Sequence, residues 1–133
     1  MKKITSITAF MLLALFTGCD EDNDVTTLNG TYTGTFRRYV PVEVLPISNV
    51  TVFFTSTGFS GYSDLQRYPA VCKGKYVLRR DKIDLENQCA WTAEFDWTYI
   101  LSGSFDITKV QNKIVMTRRY DENHYDQYIL ERQ

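Results

Sequence analysis

Histidine, cysteine and proline are scarce in this chain of 133 residues, which holds one, three and three of them respectively. The lone His124 and the cysteines Cys72 and Cys89 fall at no spacing that makes a metal site, and no cofactor is expected. Neither sign of charge dominates. The 15 basic and 16 acidic residues nearly cancel, which gives no electrostatic case for binding nucleic acid. The pairs Arg37-Arg38, Arg79-Arg80 and Arg118-Arg119 are dispersed along the chain and read as solvated strand ends. No serine sits in a nucleophile-elbow pattern, and His124, among Asp121, Glu122, Asn123 and Asp126, reads as an exposed loop residue rather than a triad member. Glu94 and Asp96 stand two apart, so they share one strand face, but a solvated outer face accounts for them without catalysis. These absences favour a binding protein over an enzyme.

Long apolar runs are missing except at the start, where Lys2 and Lys3 precede a stretch from Ile4 to Phe16 broken only by Thr5, Ser6 and Thr8. That stretch falls short of the about 20 residues needed to span a bilayer as a helix. It leads into Leu15-Phe16-Thr17-Gly18-Cys19, which resembles the bacterial lipobox, a cleavage site followed by a cysteine that receives a diacylglycerol. The resemblance implies a signal peptide over residues 1–18, acylation of Cys19, and a protein held at the cell envelope by its lipid, on an outer membrane. Asp20-Glu21-Asp22-Asn23-Asp24 is too charged to bury, so residues 19–27 read as a solvated tether. The same acidic run resembles the export signal of Bacteroidetes surface lipoproteins; the alternatives are a plain spacer and, in a proteobacterial cell, a signal at Asp20 for inner-membrane retention. Periplasmic and surface-exposed placements both stay open.

What remains, residues 28–133, is a single domain's worth of chain and is β-forming throughout. Runs rich in Val, Ile, Thr, Tyr and Phe alternate with polar turns, without helical periodicity. Strands are expected over 30–38, 49–55, 58–63, 73–79, 82–88, 93–106, 113–119 and 124–131. Pro41 and Pro46 should keep the segment between the first two strands out of regular pairing. Eight short strands at even spacing favour an up-and-down barrel or a sandwich. A hairpin turning at Arg80-Asp81 sets Leu78 opposite Ile83, Tyr76 opposite Leu85 and Lys75 opposite Glu86. The same register sets Cys72 opposite Cys89, close enough for a disulfide in an oxidising compartment.

Alternation puts Tyr32, Gly34 and Phe36 on one face of the first strand. In the long sixth strand it puts Phe95, Trp97, Tyr99 and Leu101 inward and Glu94, Asp96, Thr98 and Ile100 outward. Leu28-Asn29-Gly30-Thr31-Tyr32, the Cys72 to Cys89 hairpin, the run from Cys89 to Trp97 and the closing Tyr128-Ile129-Leu130 resemble the small lipocalin-like lipoproteins of Bacteroidetes. That resemblance implies an all-β, eight-stranded antiparallel up-and-down β-barrel whose last strand closes on the first. Gly30-Thr31-Tyr32 stands where lipocalins carry Gly-X-Trp. A barrel of this size is filled by its own side chains or holds one small ligand. The expected ligand is small and lipophilic, lined by Tyr32, Phe36, Phe95, Trp97, Tyr99 and Met116. The alternative is a protein-binding module acting through the loops at the barrel mouth, above all the apolar segment Tyr39 to Ser48 and the stretch from Phe59 to Tyr68.

Overall fold

Period-two patterning is strict where the chain builds its wall, and the computed structural model, which describes residues 27–133, turns it into eight antiparallel strands. The expected leader, Cys19 and the expected tether up to residue 26 lie outside the described residues. The strands are β1 (Gly30–Tyr39), β2 (Val44–Phe54), β3 (Gly58–Ser63), β4 (Lys73–Leu78), β5 (Lys82–Asn87), β6 (Gly103–Val110), β7 (Lys113–Arg119) and β8 (Tyr125–Arg132). Each pairs with its neighbours in chain order and β8 returns to β1, so the sheet closes as an up-and-down barrel. Closure removes the free edges of an open sheet.

The two ends of the barrel differ. The connections 55–57, 79–81 and 111–112 are tight and share one end, hereafter the turn end. The connections 40–43, 64–72, 88–102 and 120–124 gather at the other, the loop end. The chain enters at the turn end. There the buried Leu28 donates its N–H to the Tyr76 hydroxyl at 2.8 Å, and that hydroxyl donates to the Thr55 carbonyl at 2.5 Å.

The β4–β5 hairpin has the expected register, with Leu78 opposite Ile83, Tyr76 opposite Leu85 and Lys75 opposite Glu86. Its turn is the four-residue form, closed by Arg79 N–H on the Lys82 carbonyl at 2.8 Å. Cys72 and Cys89 are joined as a disulfide, with Cα atoms 6.3 Å apart.

Two expectations need correction. Pro46 does not exclude its segment from pairing, because β2 begins at Val44. The register of β1 on β2 jumps between Arg37 opposite Ile47 and Tyr39 opposite Val44, and this irregularity takes up Leu45 and Pro46 without asking proline for a ladder hydrogen bond. The larger correction concerns 93–106. Only Gly103 onward is strand, because β5 ends at Asn87 and its register reaches no further than Leu85 opposite Gly103. Residues without a partner strand turn to local bonding. Asp96 caps a short 3₁₀ turn over Trp97–Tyr99, accepting from the Thr98 N–H at 2.9 Å and the Thr98 hydroxyl at 2.7 Å. Alternation therefore fails there: Ile100, expected outside, is buried, and Trp97, expected inside, is 56 % exposed.

The lumen is filled. Phe36, Val52, Ile83, Met116 and Leu130 expose none of their surface, so no water-sized space touches them. Aromatic rings meet edge to face along the barrel axis, with Tyr32 on Phe54 at 5.5 Å, Phe54 on Tyr76 at 5.3 Å and Phe105 on Tyr128 at 5.7 Å. Room for these rings comes from glycine in the wall. A Cβ on Gly34 would lie 1.9 Å from the Ile129 carbonyl oxygen, so the close approach of β1 to β8 requires glycine there.

Candidate functional site

The buried polar and charged side chains of the inner face, Arg38, Ser48 and Asp126, all lie at the loop end, whereas at the turn end the inward rows run out in exposed Lys109 and Arg132. The four strands that run toward the loop end finish their inward rows in Arg38, Ser63, Asn87 and Arg118, while β2 and β8 start from that end with Ser48 and Asp126 on the inner face. This collar holds the loops by their backbones. Ser63 reaches the carbonyls of Leu65 and Pro69 at 2.8 and 2.7 Å. Asn87 donates to the Cys89 carbonyl at 2.7 Å and accepts from the Trp91 indole N–H at 3.3 Å. Arg118 donates to the carbonyls of Ser102 and Thr98 at 2.6 and 2.5 Å. Ser48 and Asn49 both donate to Asp64, and those bonds hold its carboxyl below the usual range.

At the centre of the collar Arg38 grips Asp126 with two hydrogen bonds, at 2.6 and 2.8 Å, and the two residues are 5 % and 1 % exposed. The guanidinium also lies 3.8 Å from the centre of the Tyr99 ring and reaches Asp96 at 3.3 Å. Burial alone would lower the Arg38 pKa, but the bonds to Asp126 and its charge outweigh it and raise the value further. The Tyr120 hydroxyl donates to Asp126 at 2.8 Å, and burial followed by that bond pushes its pKa up. Arg38 and Arg118 are thus corrections to the expected solvated strand ends. Asp126 is buried as their counter-charge, and His124 is half-buried against the Tyr120 ring at 4.5 Å.

The loops themselves form a braced platform. The disulfide joins 64–72 to 88–102, and a parallel bridge of Ala70 on Ile100 adds bonds of 2.9 Å from Ala70 N–H to Tyr99 and 3.0 Å from Leu101 N–H to Ala70. Beneath it the rings of Phe36, Tyr68 and Tyr99 meet with centroids 4.9 to 6.3 Å apart and shut the barrel mouth.

The six residues expected around a lipophilic ligand are therefore divided. Tyr32, Phe36 and Met116 come together as closed core. Tyr99 is part of the seal above them. Phe95 and Trp97 lie outside the barrel, where Phe95 packs edge to face on Trp91 at 5.7 Å and beneath Arg67 at 5.3 Å. Open space is found on the platform instead. A cleft of about 430 Å³ runs between Trp91 and Trp97, floored by Asn87, Ile100 and Ser102. A second, of about 380 Å³, lies between Tyr62, Gln66, Arg67, Val71 and Trp91. A third, of about 330 Å³, is enclosed by Arg37, Tyr39, Val40, Val44, Leu45 and Ile47 at the β1–β2 hairpin, whose Val42 and Val44 are 89 and 100 % exposed. Among the described residues no group of three or more His, Cys, Asp or Glu side chains is placed to hold a metal ion.

This arrangement defines a class by shape: a small closed barrel with a solid core and a disulfide-braced loop platform. Comparison of the chain with family models, with curated proteins and with solved structures yields no match.

Proposed function

We propose that this chain is a lipid-anchored envelope protein that binds its partner on the loop platform, outside the barrel, and not a lipophilic ligand in the lumen. The observation that carries the proposal is the filled and sealed core beneath an ordered, aromatic surface. Phe36 and Met116 have no accessible area, while Trp97, 56 % exposed, is tied down by its indole N–H on the Thr92 carbonyl at 2.9 Å. Exposed aromatic side chains held in one geometry suit recognition, because little freedom is lost on binding. The lipocalin-like resemblance and acylation at Cys19 belong to the same proposal, with the platform at the end of the barrel opposite Leu28.

Native mass spectrometry of the full chain, purified from its own host's envelope, tests this directly. The expected result is a barrel free of any stoichiometric small apolar molecule after organic extraction. A reproducible lipophile released at one equivalent, with its binding abolished by narrowing the core at Met116→Phe, would overturn the platform reading and restore the lumen as the site.

A further inference from the structure

We propose that the cleft between Trp91 and Trp97 is a binding site for a neutral saccharide, which rests on the platform reading above and names its ligand class. Both indole N–H groups already have protein acceptors. Trp91 donates to Asn87 Oδ1 at 3.3 Å and Trp97 to the Thr92 carbonyl at 2.9 Å. The indoles consequently offer the cleft ring surface and benzo edge rather than a donor. An aromatic face carries the negative lobe of the ring quadrupole, which attracts weakly positive C–H groups.

The floor supplies the opposite chemistry. The Asn87 side-chain amide uses one hydrogen on the Cys89 carbonyl at 2.7 Å and keeps the second. The Ser102 hydroxyl accepts from Asn87 N–H at 3.2 Å and lies 3.3 Å from the Leu85 carbonyl, which leaves a lone pair. No charged side chain lines the cleft among the described residues, so nothing there repays the dehydration of an ionic ligand. A ligand that fits must be uncharged, with a flat face of C–H groups for an indole and hydroxyl groups within reach of an amide hydrogen and a hydroxyl oxygen. A pyranose ring has this combination. The volume of about 430 Å³ falls within the about 300–1,000 Å³ of small-molecule sites and accommodates more than one sugar ring.

The walls are fixed before any ligand arrives. Cys89 in the lining is disulfide-bonded, and Trp97 opens the 3₁₀ turn capped by Asp96, which Arg38 holds at 3.3 Å. A fixed wall reduces the ordering cost of binding.

The chain has two tryptophans and both line this cleft, so their fluorescence reports on it without a label. The full chain, in a detergent that carries no sugar, would be titrated with neutral oligosaccharides of glucose, mannose, galactose, xylose and N-acetylglucosamine, each four to six units long. The expected result is a saturable change in tryptophan emission with at least one of them. Trp97→Ala should weaken that binding at least tenfold, and Trp97→Phe, which keeps a ring face, should weaken it less. Thermal unfolding should be nearly unchanged, since Trp97 is outside the core. No saturable change with any of the five series overturns the saccharide proposal, as does binding that survives Trp97→Ala and Trp91→Ala at full strength. Either result leaves the platform reading intact, which only an apolar molecule recovered from the lumen would sink.

Discussion

Arg38 shows what alternation reveals when it is followed without regard to charge. Tyr32, Gly34 and Phe36 point inward, so the next residue in that row is Arg38. The same step from Met116 reaches Arg118, and from Tyr128 it reaches back to Asp126. All three charges were therefore legible as inner-face residues at one end of the barrel. What hid them was composition: an Arg-Arg pair reads as a solvated strand end, and a single sequence does not reveal that the cross-strand partner of Arg38 is Asp126. Because the pair is almost wholly buried, Asp126→Ala should destabilise the fold by about 3–5 kcal/mol, the usual cost of leaving one buried charge unpaired. Urea unfolding followed by circular dichroism measures this. Removing both partners, Arg38→Met with Asp126→Leu, should cost clearly less than the sum of the two single changes. A double variant as unstable as that sum would mean that the two side chains act separately.

Among the elements, the barrel strands were readable and the β5–β6 connection was not. Six of the eight strands lie within one residue of their expected limits, because each has a hydrophobic row on one face and a partner on both sides, while β2 begins five residues early, at Val44. The residues 93–102 carry the same alternation of aromatic and polar side chains, but the strand beside them has already ended. Period two is then a necessary sign of a strand and not a sufficient one. The signal that was available is Asp96 followed at two residues by Thr98, a local cap that competes with sheet bonding. Trp91, missed as a site residue, is visible only once this connection is known to fold as a loop. The disulfide, by contrast, followed from hairpin symmetry together with the expected oxidising compartment. It closes a loop of sequence separation 17, for which the chain-entropy model gives a stabilisation of about 3 kcal/mol. Replacing Cys72 and Cys89 together by Ala should lower the unfolding free energy by about that amount while the β4–β5 register persists, since Tyr76 and Leu85 still face each other in the core. Equilibrium unfolding of the reduced wild type and of the double variant should agree. A difference between them would point to a role for the thiols beyond the crosslink.

At the scale of the whole molecule the two ends of the barrel differ in chemistry. Apolar side chains fill the turn end and middle, a collar of Arg38, Ser48, Ser63, Asn87, Arg118 and Asp126 crowns them, and the loops rest on that collar. Leu28 is docked at the turn end, so the platform lies at the opposite end of the barrel from the start of the described residues. Among the described residues the buried core and the closed sheet are complete within 28–133, and Leu28 is docked through its own backbone on Tyr76. Anchorage and folding should therefore separate cleanly. Cys19→Ala, expressed in the native host, should move the protein from the detergent phase to the aqueous phase in a phase-separation assay. Its thermal unfolding midpoint and tryptophan emission should stay as in the wild type. Retention in the detergent phase would show that something other than the Cys19 lipid holds the chain at the membrane. A shifted midpoint would show instead that a change before Leu28 reaches the stability of the barrel.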